Sequence, residues 1–152
     1  MKLLDILKPT AVIPELKGKH KKEVLEELCH VVAESEKLKP EPLLNVLLER
    51  EKLGSTGIGD GIAIPHGKCR DCRKLTIACG RSLEGVDFDS MDGKPTQLFF
   101  LLVAPEDSAG IHLKALAKIS RLLKDSGFRQ KFMAARDARE MYELISARDD
   151  DF

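Results

Sequence analysis

From about Lys19 to Lys37, the residues Val24, Leu25, Leu28, Val31 and Val32 recur on one helical face, opposite Lys21, Lys22, Glu26, Glu27 and Glu34. That spacing predicts a surface helix with one buried stripe. Pro42 suits the first turn of a second helix, in which Leu43, Leu44, Leu47 and Leu48 line one side as far as Leu53, with Gly54 as its stop. Before these, a short amphipathic turn over Lys2–Leu7 ends at Pro9, and Ala11-Val12-Ile13 predicts a short strand suited to a sheet edge. Ile62-Ala63-Ile64, Leu75–Arg81 and Gln97–Ala104 are strand-like. Leu98-Phe99-Phe100-Leu101-Leu102-Val103 is apolar at consecutive positions, as a central strand covered on both faces would be.

Glu84–Pro95, rich in Gly, Asp and Ser, predicts a loop or short hairpin between the last two strands. Asp107 or Ser108 can cap a helix carrying Leu113, Leu116, Ala117, Ser120 and Leu123 on one side, with His112 in its first turn. Phe128–Ala135 continues helical, and Asp137-Ala138-Arg139-Glu140 has capping-box spacing before a last helix with Met141, Leu144 and Ile145. The expected fold class is therefore α/β: one domain over 1–152, with helices packed on a mostly buried sheet.

Composition narrows the function classes. The 152 residues fit one domain able to bury a sizeable core, and 25 basic against 25 acidic side chains argue against a polyanion-binding surface, hence against nucleic acid. The first residues are too charged for a signal peptide, and no apolar run approaches membrane-spanning length, so a cytoplasmic location without membrane insertion is expected. Cys29, Cys69, Cys72 and Cys79 are then reduced thiols. The Asp149-Asp150-Asp151 run predicts a solvated end.

The richest stretch chemically is Gly54–Gly67, where glycines and small hydroxyl residues lead into Ile62-Ala63-Ile64-Pro65-His66-Gly67. Pro65 biases Ile64 toward extended geometry, which places His66 at a strand end on a loop-rich surface. His112, at a helix start, has unpaired N–H groups and the positive end of the helix dipole nearby, both favouring an anion. His20 and His30 carry no comparable context. A neutral imidazole, with an ordinary pKa near 6.5, is a competent nucleophile toward a phosphoryl group. Arg50, four residues before the loop, can grip phosphoryl oxygens in bidentate fashion, or else pair with Glu49 or Glu51.

Leu48 to Lys68, containing Arg50, Gly54-Ser55-Thr56-Gly57 and Ile64-Pro65-His66-Gly67, resembles the active-site signature of enzyme IIA of the sugar phosphotransferase system, fructose/mannitol type, in particular its nitrogen-regulatory branch. Ile111 to Ser120, with His112-Leu113 opening a helix, is similar to the second signature of that family, and the resemblance spans essentially the whole chain. It implies a central mixed sheet flanked by helices on both faces. It implies His66 as the phosphoryl acceptor at Nε2, charged by a phosphohistidine carrier protein (HPr-like), with His112 and Arg50 around the phosphoryl. Ser55, Thr56 and Gly67 are implied supports of the site. No metal or organic cofactor is implied.

The lack of an appended transport domain favours a regulatory role through phosphorylation-dependent partner binding over a sugar-specific component serving a separate transporter. Cys69 and Cys72 depart from the signature. With His66 and Cys79 they leave a small zinc protein as one alternative, and a binding module that is never phosphorylated as another. Gly57-Ile58-Gly59-Asp60-Gly61 lacks the spacing of a nucleotide cradle.

Overall fold

The computed structural model describes residues 1–151, with Ala109 described by its backbone alone. The strands are β1 (Leu7–Ile13), β2 (Gly57–Gly59), β3 (Ile62–Ala63), β4 (His66–Lys68), β5 (Thr76–Val86) and β6 (Thr96–Ala104). The helices are α1 (Lys21–Glu36), α2 (Pro40–Lys52), α3 (Ala109–Lys124), α4 (Ser126–Ala134) and α5 (Ala138–Arg148). Short 3-10 turns, Leu3–Asp5 and Asp149–Asp151, stand at the two ends.

The sheet is mixed, in the order β1-β5-β6-β3-β2, with β4 also paired to β6. β5 and β6 run antiparallel at its centre, while β1, β3 and β4 pair in parallel. Every residue of β6 from Leu98 to Ala104 is buried, as its unbroken apolar run predicts. Successive strand residues point to opposite faces, and both faces are covered. The Phe100 ring meets Phe132 of α4 at 6.0 Å, and Val103 lies with Val32 of α1 and Leu38 on the other side.

Three expectations need correction. The chain does not stop at Pro9: β1 runs from Leu7 through it, because on an edge strand the missing proline N–H breaks no ladder. The pairing with β5 shifts between Leu7 and Val12, which accommodates Pro9. The glycine stretch is not a plain loop but the hairpin β2–β3, turned at Gly59-Asp60-Gly61, all three with positive φ. The acidic end is not uniformly solvated: Asp149 is buried, its carboxylate accepting the N–H groups of Leu3 and Leu4 at 2.6 and 3.0 Å, with Lys118 Nζ at 3.6 Å. It caps the N-terminal turn, whose free N–H groups need an acceptor.

Helix ends follow the sequence more closely. Asp137 accepts the Glu140 N–H at 2.9 Å and starts α5. Asp125 accepts the Phe128 N–H at 3.2 Å and separates α4 from α3.

Candidate functional site

His66 opens β4 rather than ending the strand before it. Ile62 and Ala63 pair with Leu98 and Phe99, and His66, Gly67 and Lys68 pair with Leu102, Val103 and Ala104. The register runs on unshifted, so β3 and β4 are one strand interrupted where Pro65 supplies no N–H. The interruption is held from both sides: the Ile64 N–H donates to Thr56 O at 3.1 Å, and the Leu102 N–H to Pro65 O at 2.9 Å.

This break lets the imidazole of His66 fold back on its own chain. Nδ1 lies 2.8 Å from Ile64 O. A carbonyl only accepts, so Nδ1 carries the proton, and in the neutral ring the lone pair is on Nε2. The half-buried ring faces that of His112 at 5.6 Å between centroids, tilted by 49°.

His112 is buried in the first turns of α3, its N–H bonded to Ser108 O at 2.9 Å. Nε2 of His112 is buried without a hydrogen-bond partner. The Ser108 hydroxyl donates to Pro105 O and does not cap the helix, so the first N–H groups of α3 stay available to an anion. Burial, helped by the charges of His66 and Lys68, holds the pKa of His112 below the ordinary 6.5. The unfolded chain therefore takes up this proton at a higher pH than the folded one. Stability contributed by neutral His112 is present above about 6.5 and lost as pH falls toward the lowered value. Urea unfolding at about pH 7.5 and 5.5 is expected to show a smaller pH effect in His112→Gln than in the wild type. An equal effect in both would contradict this assignment.

Arg50 stands on the last turn of α2 and donates from Nη1 to Gly54 O at 2.9 Å. Neither anticipated partner holds it: Glu49 pairs with Lys52, and Glu51 with Lys21. α2 crosses close over β4, because a Cβ on Gly67 would lie 2.7 Å from Val46 Cγ1. Arg50 is one turn beyond Val46 on the same helix face. Gly67 thus has a steric role. Gly67→Ala is expected to cost about 1–3 kcal/mol, since the β-branched Val46 has little freedom to yield. Val46→Ala should recover most of that loss in a double-mutant cycle read by denaturant unfolding.

The hydroxyls of Ser55 and Thr56 are engaged away from the imidazole. Ser55 Oγ donates to Phe88 O at 2.9 Å and accepts the Gly57 N–H at 3.0 Å. Thr56 Oγ1 donates to Glu51 Oε2, and the Thr56 N–H to Glu51 Oε1 at 3.1 Å. Both shape the hairpin. Glu51 itself was not singled out from the sequence, although it continues the buried Leu43/Leu47 stripe of α2 at the next i+4 step, where a carboxylate is out of place.

The zinc alternative does not assemble. Among the described residues no three His, Cys, Asp or Glu side chains converge as metal ligands. Cys79 is fully buried within β5, opposite Phe100. Cys69 and Cys72 are buried behind β4, and burial pushes the Cys72 thiol up to about 12. A broad surface cleft between the β2–β3 turn and α4, lined by Gln97, Arg129 and Met133, contains none of the candidate residues.

Known proteins resemble this chain over nearly its whole length. A "Nitrogen regulatory protein" of Bradyrhizobium diazoefficiens is 44% identical over 146 residues, covering 96% of this chain and 95% of that protein. The crystal structure of the nitrogen regulatory protein IIA-Ntr from Neisseria meningitidis superposes with a TM-score of 0.87 at 34% identity, covering 93% of this chain and 97% of that one. The "PTS system fructose-specific EIIABC component" of Bacillus subtilis is 35% identical over 150 residues, 98% of this chain but 24% of that longer protein. Residues 5–148 match the family model "Phosphoenolpyruvate-dependent sugar phosphotransferase system, EIIA 2", and the chain belongs to that family of phosphoryl-transfer components.

Proposed function

We propose that His66 accepts a phosphoryl group on Nε2 from the phosphohistidine of a small carrier protein (HPr-like), and that the phosphorylated and free forms engage different partners in the cytoplasm. The observation that carries this reading is the 2.8 Å contact of Nδ1 with Ile64 O, which leaves Nε2 as the nucleophile beside the ring of His112. In the transfer, the lone pair on Nε2 attacks phosphorus and the N–P bond of the donor breaks. The donor imidazole leaves with the electron pair, so no external oxidant or metal is needed.

Positioning and charge neutralisation supply the catalysis. The His112 ring, 5.6 Å from that of His66, and the uncapped N-terminus of α3 supply the polar surroundings for the phosphoryl oxygens. Among the described residues Arg50 makes one hydrogen bond, to Gly54 O, which leaves guanidinium donors for the phosphoryl. Ser55, Thr56 and Gly67 act indirectly, by setting the hairpin and the closeness of α2 to β4.

The nitrogen-regulatory relatives favour a regulatory output, and the same domain unit then occupies 1–152. The fructose-specific relative supports a second reading, in which the phosphoryl passes to a transporter component. Incubation with phosphoenolpyruvate, the general phosphotransfer enzyme and the carrier should raise the intact mass by one phosphoryl group. An unchanged mass would favour a binding module that is never phosphorylated.

A further inference from the structure

We infer that Glu51 is a positioning residue for His66, acting through a continuous hydrogen-bonded relay. This rests on the reading of His66 as the phosphoryl acceptor.

The relay begins at Lys21 in the first turn of α1, whose Nζ lies 3.0 Å from Glu51 Oε1 and 5.0 Å above the Phe88 ring. Glu51 is 8% exposed and stands in the last turn of α2. A carboxylate there is doubly disfavoured, by desolvation and by the negative end of the helix dipole. It is retained where it takes both the N–H and the hydroxyl of Thr56. Thr56 O then accepts the Ile64 N–H at 3.1 Å. Ile64 O in turn accepts the Nδ1 proton of His66 at 2.8 Å.

Each link fixes the next. Glu51 holds Thr56 against the end of α2, Thr56 holds the backbone of Ile64 across the interruption in the strand, and Ile64 selects the tautomer and orientation of the imidazole. The path joins α1, α2, the β2–β3 hairpin and β4. A carboxylate is suited to the role because it accepts two donors from one residue while its charge is balanced by Lys21.

The test uses the full chain with Glu51→Ala, Glu51→Gln and Thr56→Val. Phosphoryl transfer from the phosphorylated carrier is followed at varied carrier concentration, and the tautomer of His66 is read from its ring 15N shifts. Glu51→Ala should lower the rate at saturating carrier about tenfold, with the half-saturating concentration unchanged, because docking is untouched while the nucleophile is misplaced. The His66 resonances should move toward a mixture of tautomers. Glu51→Gln keeps an acceptor for the Thr56 N–H and should recover part of the rate. Thr56→Val loses only the hydroxyl link and should fall between.

Circular dichroism identifies a variant that fails to fold, in which case Glu51→Gln and Thr56→Val carry the test. Folded Glu51→Ala or Thr56→Val protein with the wild-type tautomer and rate would overturn the relay. If the wild type takes no phosphoryl, the functional reading fails while the tautomer measurement still decides the positioning role.

Discussion

Replacing His66 by alanine is expected to abolish phosphoryl acceptance while leaving the fold in place. The half-buried ring makes one hydrogen bond, to a carbonyl two residues earlier, so its removal takes little from the core. No other histidine can substitute. Among the described residues His112 is the other imidazole beside that of His66, at 5.6 Å between ring centroids, and its Nε2 is buried. His112→Ala should therefore slow labelling, by roughly 10–100-fold, without eliminating it. Intact mass spectrometry after incubation with the phosphorylated carrier separates the two variants, and circular dichroism confirms that both are folded. Labelling retained in His66→Ala would place the acceptor elsewhere.

The largest effect on stability is expected at Arg81, far from the chemistry. It is 4% exposed on β5 and, among the described residues, bonds carbonyl oxygens rather than a carboxylate. Its Nε donates to Pro14 O at 3.1 Å, and its Nη1 to Phe132 O, Met133 O and Ala135 O at 3.0, 3.2 and 2.7 Å. The last three are the terminal carbonyls of α4 and its cap, at the negative end of the helix dipole, and of these Phe132 O also accepts the Ala135 N–H. One guanidinium thus closes α4 and fastens it, and the segment after β1, to the centre of the sheet. Arg81→Met keeps most of the apolar stem but removes four hydrogen bonds, two of them buried, and should cost about 3–5 kcal/mol. Urea unfolding monitored by circular dichroism measures this, and a loss below about 1 kcal/mol would contradict it. Phosphoryl acceptance by the folded fraction should be unaffected.

The elements legible in the sequence were those whose pattern is long enough to repeat. α1 and α2 show several turns of one apolar stripe, and β6 shows an unbroken apolar run that only a doubly covered strand explains. Pro9 reads locally as a stop to β1, and it is tolerated because this strand lies at an edge, a fact of topology rather than of local sequence. β2, β3 and β4 are two or three residues each and have no readable period. β3 and β4 exist because β6 offers them a ladder and β2 because β3 does, and the glycines between β2 and β3 mark the turn.

The two histidines could be picked out because each sits at a place where backbone geometry makes a side chain available: one beyond a proline at a strand break, the other at an uncapped helix start. Arg50 could not be separated from a solvated helix residue without the resemblance to known signatures. The direction of the Ser55 and Thr56 hydroxyls depends on Phe88 O and the Glu51 carboxylate, contacts that no local pattern announces. Asp149 looked solvated because nothing local shows that the N-terminal turn lies 146 residues away against it.

The account turns on one nitrogen atom. With 15N-labelled histidine in the protein, NMR of the phosphorylated form reports which ring nitrogen is bonded to phosphorus. The hydrogen bond from Nδ1 to Ile64 O predicts a single phosphoryl group on Nε2 of His66. A phosphoryl on Nδ1 of His66, or on any residue other than His66, would contradict it.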